Sequence, residues 1–126
     1  EKNDVGNIFA VNSQGRLKLV NGDNVEIMPG ITVCAGSKHT FENQYLLVNA
    51  NSEKNKILLG SDAIWFYLNL EKELPISVCM DTASYVRAIK RLKTLVTNPD
   101  LIIPGHDDMV FSKYTAVQDG IVRIGE

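Results

Sequence analysis

The sequence predicts an α/β fold in which a sheet packs against helices. Several short apolar runs, separated by turns rich in Gly, Asn and Pro, fill the first half of the chain and indicate strands. Residues 82–96 show an amphipathic helical stripe, and an apolar run at 101–104 indicates a strand after that helix. Strands followed by a strand-helix-strand unit are typical of α/β layers. With 126 residues and 44% hydrophobic content, the chain is long enough to bury one core.

The N-terminal third is predicted to contain a helix and three strands. Residues 1–11 carry apolar side chains at helical spacing and indicate a helix or the end of one. Residues 17–20 and 25–28 are expected to pair across an Asn21-Gly22 turn, because both turn residues tolerate positive φ. The predicted buried face of this hairpin comprises Leu17, Leu19, Val25 and Ile27. After a Pro-Gly turn, residues 31–34 indicate the third strand.

The middle of the chain predicts a β-hairpin and then a helix. A polar loop at residues 35–43 precedes a convincing strand at 44–50. A turn at 51–55 leads into a strand at 56–60, which we expect to pair with the preceding one. Residues 63–74 indicate a helix, which a proline ends.

The clearest predicted helix covers residues 82–96. Asp81 or Thr82 can cap its N-terminus. Its apolar stripe comprises Tyr85, Val86, Ile89, Leu92, Leu95 and Val96. Beyond the strand that follows, residues 109–117 indicate a helical turn and residues 121–124 a last short strand.

Composition and charge narrow the function classes. The formal net charge is -2, so nothing in the global charge favours a nucleic-acid partner. The basic side of the helix at 82–96 is interpreted as a solvated surface. No apolar run reaches the roughly 20 residues that a membrane span requires, so no membrane association is expected.

Both cysteines, Cys34 and Cys79, lie among apolar neighbours. We expect two buried free thiols in a reducing compartment, which favours a cytoplasmic location, with a disulfide as the alternative. The chain begins Glu-Lys-Asn-Asp, without Met and without a signal-like apolar segment. We therefore expect it to be part of a longer protein.

Three side chains that can bind metal ions lie next to predicted strands. His39 precedes the strand at 44–50, Asp62 follows the strand at 56–60, and His106 follows the strand at 101–104. Taken singly, each has a simpler interpretation: an exposed histidine, a carboxylate that caps the following helix, and a plain turn. Together, two histidines and one carboxylate near strand ends predict a shared metal or catalytic site.

Three motifs resemble the later metal-binding motifs of the metallo-β-lactamase fold hydrolases. They are KHT (38–40), GSDAIW (60–65) and IIPGHDD (102–108), and the resemblance extends over about residues 17–114. The superfamily's His-x-His-x-Asp-His motif belongs to its N-terminal half, and this sequence contains only two histidines. The resemblance therefore implies that residues 1–126 form the C-terminal half of an αββα sandwich, a mixed sheet with flanking helices, without the N-terminal half.

The resemblance also implies a binuclear metal site, with two divalent ions that we expect to be zinc. By analogy, His39 would bind the first ion, His106 the second, and Asp62 would bridge them as the catalytic carboxylate. Imidazole and carboxylate ligands suit zinc. The implied activity is hydrolysis of an ester, thioester or lactone bond in a small-molecule substrate by a metal-bound hydroxide.

Several alternatives remain open. Acyl-homoserine lactonases are similar around the Asp but carry Tyr three residues after it, where this chain has Trp65, which is expected to line a pocket or the core. A phosphodiesterase or nuclease of the same fold would favour a basic surface that the sequence does not show. A non-catalytic binding or structural module is the alternative outside the enzymes.

Glu42 and Asp107 are either partners that orient an imidazole or plain exposed carboxylates. We expect the isolated chain to be inactive and to self-associate through the face meant for the missing half.

Overall fold

The computed structural model describes residues 2–49 and 55–125. In chain order, the first elements are α1 (Lys2–Ser13), β1 (Val25–Met28), β2 (Ile31–Ala35), β3 (Gln44–Asn49) and β4 (Lys56–Leu59). They are followed by a 3₁₀ turn (Ser61–Ala63), α2 (Tyr67–Lys72), α3 (Thr82–Thr94) and a second 3₁₀ turn (Pro99–Leu101). The last elements are β5 (Ile102–Ile103), α4 (Met109–Lys113), β6 (Thr115–Gln118) and β7 (Ile121–Arg123).

Strands β1 to β5 form one five-stranded sheet in sequence order, and β6 pairs with β7 in a separate hairpin. The pairs from β1 to β4 are antiparallel, whereas β4 and β5 are parallel. A parallel pair requires a crossover connection, and here α2 and α3 lie within it. The predicted α/β fold, a mixed sheet with flanking helices, is confirmed.

Apolar side chains cover both faces of this sheet. One face packs against α3 in the main core, which includes Cys34, Tyr45, Leu58, Ile102, Tyr85, Ile89 and Leu92. A smaller cluster comprises Ile57, Leu101 and Ile103, with Val48, Val110, Tyr114 and Ile124 packed against it. Because strand residues alternate between faces, Ile57 and Leu58 belong to different clusters.

Helix α3 forms as its pattern predicts. The Asp81 carboxylate accepts a hydrogen bond from the backbone N–H of Ser84 at 3.0 Å, which satisfies one of the free donors of the first turn. Tyr85, Ile89 and Leu92 are fully buried on the predicted stripe. The helix thus places one wall of the main core directly behind β3, β4 and β5.

The hairpin predicted between residues 17–20 and 25–28 is wrong. Residues 17–20 lie in no strand, and β1 instead pairs with β2 across the Pro-Gly turn. Leu19 is 85% exposed, and Leu17 and Ile27 are 38% exposed, so the predicted buried face does not form. The Asp23 carboxylate instead accepts from the backbone of Ala35 and from Arg91 of α3, and these tertiary contacts fix the 21–24 turn against the sheet.

The helix predicted at residues 63–74 is shorter and starts later. The 3₁₀ turn comes first, residues 64–66 belong to no helix, and only α2 is α-helical. The backbone carbonyls of Ile64 and Trp65 accept hydrogen bonds from the N–H groups of Gly105 and His106. Because these carbonyls are used in tertiary contacts, the segment does not form a helix. Asp62 therefore lies inside the 3₁₀ turn and caps no α-helix.

The other predicted elements occur with shifted ends. The N-terminal helix is present as α1, the predicted strands around Asn49 and Lys56 pair as β3 and β4, and β7 is the last strand. The C-terminal part of the predicted helical turn at 109–117 forms β6 instead. The predicted turn at 51–55 and the end of the strand at 44–50 fall mostly on residues 50–54, outside the described residues.

Both cysteines are free thiols, as predicted. Cys34 is fully buried, and its Sγ donates to the side-chain oxygen of Asn24 at 3.2 Å. Cys79 is only partly buried, so the prediction of two buried thiols holds for one of them. In the part of the chain that the structure describes, no helix is long and apolar enough to cross a membrane.

Candidate metal centre

Asp62 and His106 meet at one edge of the sheet. Strands β4 and β5 are parallel neighbours, so the loops that follow them leave the sheet at the same edge. Asp62 lies in the 3₁₀ turn after β4, and His106 lies in the loop after β5. The Nε2 atom of His106 is 2.9 Å from Oδ1 of Asp62. Both side chains are partly open to solvent, at 52% for His106 and 35% for Asp62.

Backbone hydrogen bonds hold the two loops together beyond the ends of the strands. The backbone N–H of Gly60 donates to the carbonyl oxygen of Ile103 at 2.8 Å. In the other direction, the N–H of Gly105 donates to the carbonyl of Ile64 at 2.8 Å, and the N–H of His106 donates to the carbonyl of Trp65 at 3.0 Å. A Cβ atom at position 105 would lie 2.6 Å from the carbonyl oxygen of Ser61. Glycine is therefore required at position 105 for the loops to approach this closely.

Two aromatic side chains hold Asp62 in place. The indole Nε1–H of Trp65 donates to Oδ1 of Asp62 at 2.8 Å. The hydroxyl of Tyr85, in α3, donates to the backbone carbonyl of Asp62 at 2.9 Å. Burial alone would raise the pKa of the Asp62 carboxyl, but the hydrogen bonds from His106 and Trp65 lower it below its ordinary value.

His39 lies in the loop between β2 and β3, which is tied to the segment before α3. The backbone N–H of Met80 donates to the carbonyl of Lys38 at 2.7 Å, and Nδ1 of His39 is 2.7 Å from the carbonyl oxygen of Val78. A carbonyl can only accept, so the bonded Nδ1 carries the proton in this arrangement. The neutral ring then presents the lone pair of Nε2, which is the form of histidine that binds metal ions.

Trp65 is the residue that connects His39 with the other two side chains. Its ring centroid lies 4.9 Å from that of His106 and 5.9 Å from that of His39. Across residues 2–49 and 55–125, no three His, Cys, Asp or Glu side chains are grouped closely enough to hold a metal ion. The structure thus brings Asp62 and His106 into direct contact. His39 is linked to them by the contact of its ring with the indole ring of Trp65.

Known structures contain a similar chain fold. One is a variant of the lactonase AiiA from B. thuringiensis with N-decanoyl-L-homoserine bound at its active site. It is 28% identical in sequence, with a TM-score of 0.66, and the match covers 79% of this chain and 39% of the lactonase chain. An N-acyl homoserine lactone hydrolase with N-hexanoyl-L-homoserine bound at its catalytic metal centre matches with the same values. This chain has part of the metallo-β-lactamase fold. It spans about two fifths of the length of these lactonases.

A third structure is similar to this chain in its fold only. It is a probable metal-dependent hydrolase from Staphylococcus aureus, 16% identical, with a TM-score of 0.58 over 75% of this chain and 34% of the other. No protein-family model matches the sequence, and no curated protein matches it. The resemblance found in the KHT, GSDAIW and IIPGHDD motifs is confirmed by the structural similarity to the lactonases.

The side chains at this edge of the metallo-β-lactamase fold are chemically suited to a divalent cation. A carboxylate and imidazole nitrogens are ligands that zinc accepts. Two ligand atoms on one tetrahedral zinc ion lie about 3.3 Å apart, given bonds of about 2.0 Å. The Asp62–His106 separation of 2.9 Å is close to that value, so the two groups fit a shared ion with a small adjustment.

Other residues near the site have structural roles. Both carboxylate oxygens of Asp107 accept backbone hydrogen bonds, from Tyr67 and Met109 at 2.8 and 3.0 Å, so this residue fixes the starts of α2 and α4. The contact of Tyr85 with Asp62 was not predicted. A signal was present, because a buried tyrosine on an apolar stripe needs a partner for its hydroxyl, but the sequence does not say which partner.

Proposed function

We propose that this chain contributes His39, Asp62 and His106 to the metal centre of a hydrolase that acts on ester, thioester or lactone bonds of small molecules. The observation that carries the proposal is the 2.9 Å contact between Asp62 and His106 where parallel strands β4 and β5 end. The similar structures include lactone hydrolases, one of them with its product at a catalytic metal centre, which supports this reaction class.

We assign the three residues different roles at a binuclear centre. His39 would bind one ion through Nε2, since Nδ1 is engaged by the Val78 carbonyl. His106 would bind the other ion, and the Asp62 carboxylate would bridge the two. Divalent ions bound here, for which zinc is our expectation, would lower the pKa of coordinated water towards about 7 and so supply a nucleophile. Asp62 would contribute negative charge that offsets the repulsion between two cations.

Three protein ligands are too few for two zinc ions, since each takes about four ligands. We propose that residues 1–126 form the C-terminal half of the hydrolase domain and that the remaining ligands come from its other half. The sheet supports this, because its second face is also apolar: Ile57 and Ile103 are buried there, while Leu59 remains 37% exposed. A second copy of the chain that covers this face is the alternative.

Metal analysis of the purified chain tests the ligand assignment. We expect less than one equivalent of zinc per chain, held weakly, and a further loss in Asp62→Ala. Asp108→Asn is the matched control, because this neighbouring carboxylate is exposed and makes no capping hydrogen bond. Retention of two equivalents per monomeric chain through a chelator wash would contradict the incomplete centre.

Hydrolysis is tested in a protein that joins this chain to the complementary half of the domain. Turnover of lactone and thioester substrates should be lost in Asp62→Ala and kept in Asp108→Asn. A binding module would retain ligand affinity but show no metal-dependent turnover in either form. Unchanged metal content and turnover in Asp62→Ala would refute the bridging role.

A further inference from the structure

We infer that Trp65 is a positioning residue that holds the Asp62 carboxylate and the two imidazoles in their relative places. The inference rests on the proposed function of the site. Trp65 contacts all three candidate ligands: it donates to Asp62 at 2.8 Å, and its ring lies 4.9 Å from His106 and 5.9 Å from His39 between centroids.

The hydrogen bond from the indole restricts how the carboxylate can turn. An indole N–H can only donate, so its partner must be an acceptor. Oδ1 of Asp62 receives this N–H at 2.8 Å and also lies 2.9 Å from Nε2 of His106. Two groups bonded to one oxygen fix the rotation of the carboxylate about its terminal bond, which is otherwise soft.

The indole can serve as a fixed support because it is itself anchored. Trp65 packs against the main core and is partly buried. Its backbone carbonyl accepts the N–H of His106 at 3.0 Å, so one residue braces His106 through both backbone and ring. Its ring also contacts Phe66 in an edge-on arrangement, with centroids 6.4 Å apart. A rigid aromatic that holds several ligands lowers the ordering cost of binding a cation.

Trp65→Phe removes the N–H donor of the indole but keeps an aromatic ring, so it tests the hydrogen bond to Asp62 separately from the ring contacts. Loss of a hydrogen-bond partner that orients a ligand typically weakens metal affinity about 10- to 100-fold. We expect this loss for Zn²⁺ binding to the 126-residue chain, measured by isothermal titration calorimetry. Phe9→Leu is the control, since Phe9 lies on α1, is 68% exposed and contacts neither Trp65 nor the candidate ligands; its Zn²⁺ affinity should match that of the unchanged chain.

A second measurement needs neither metal nor a folded Trp65 variant. Trp65 is the only tryptophan, so a ¹⁵N-labelled chain gives a single indole N–H resonance. Asp62→Ala should shift this resonance and speed its exchange with solvent, because the acceptor is gone. Asp108→Asn should leave both unchanged. If Trp65→Phe does not fold, this experiment decides the question.

The outcomes separate the inference from the proposed function. Zn²⁺ affinity lost in Asp62→Ala but unchanged in Trp65→Phe would overturn the positioning role and leave the metal centre standing. An indole resonance insensitive to Asp62→Ala would also overturn it. Zn²⁺ binding that survives Asp62→Ala would remove the metal centre, and the inference with it. A loss of Zn²⁺ affinity in both variants, with Phe9→Leu unchanged, supports both.

Discussion

Two buried tyrosines differ in a way that a pair of matched substitutions can measure. Tyr85 and Tyr45 are 0% and 1% exposed, and both belong to the main core. The Tyr85 hydroxyl donates to the backbone carbonyl of Asp62 at 2.9 Å. The Tyr45 hydroxyl has no hydrogen-bond partner within residues 2–49 and 55–125. Replacing each by Phe removes one hydroxyl and leaves the ring and its packing in place.

The structure gives unequal expected costs for the two substitutions. Removing the Tyr85 hydroxyl deprives the Asp62 carbonyl of its partner, which costs about 1–2 kcal/mol of unfolding free energy. Removing the Tyr45 hydroxyl breaks no bond and relieves a buried polar atom, so the change should stay within about 0.5 kcal/mol of zero or be stabilising. For a domain of this size, 1 kcal/mol lowers the melting temperature by about 4 °C. Tyr85→Phe should therefore melt about 4–8 °C lower.

Thermal and urea unfolding of Tyr85→Phe, Tyr45→Phe and the unchanged chain measure this difference. Tyr85→Phe should also move the Trp65 indole resonance, since the Asp62 backbone that presents the carboxylate loses its anchor to α3. Equal destabilisation by the two substitutions would refute the argument, because burial is the same and only the hydrogen bond differs. A larger cost for Tyr45→Phe would refute it more strongly.

Two further predictions concern the loops and the charge pair that position the site. Gly105→Ala places a Cβ atom 2.6 Å from the Ser61 carbonyl oxygen and should lower the free energy of unfolding, measured in urea, by about 1–3 kcal/mol. Gly6→Ala is the control: a Cβ atom there has no neighbour within 4 Å, so the substitution should be neutral or stabilising by up to about 1 kcal/mol. The hydrogen bond from Arg91 holds the pKa of Asp23 below its ordinary value. The stability that this pair contributes is therefore present above the unfolded pKa of about 3.9 and lost as pH falls through the lower folded value. Asp23→Asn should flatten the fall of the melting temperature over this acidic range.

Specific results would contradict each of these. An unchanged unfolding midpoint in Gly105→Ala, with Asp62 and His106 still in contact, would show that the loops accommodate a Cβ atom at position 105 and that glycine is not required there. The effect of Asp23→Asn should be small, because its side chain is 42% exposed and solvent screens the pair. An acid transition as steep as that of the unchanged chain would show that Asp23 does not contribute to it.

Much of the fold could be predicted from local pattern. The stripe and N-cap of α3, the β3–β4 hairpin and the apolar run at β5 are set by residues near one another in sequence, and each occurs where it was expected. The prediction failed where distant partners decide the backbone. Residues 17–20 alternate like a strand but pair with none, while Asp23 is fixed by Arg91, 68 residues away.

Local sequence patterns are enough to predict that the chain is α/β and that Asp62 and His106 follow buried strands, because periodicity, turns and strand ends are local properties. That these strands are parallel neighbours follows from the packing of the whole chain, and this arrangement brings the two side chains to within 2.9 Å of each other. The same packing places Trp65 against both imidazoles and Tyr85 behind Asp62. Such contacts depend on which surfaces pack together, and no local pattern encodes that choice.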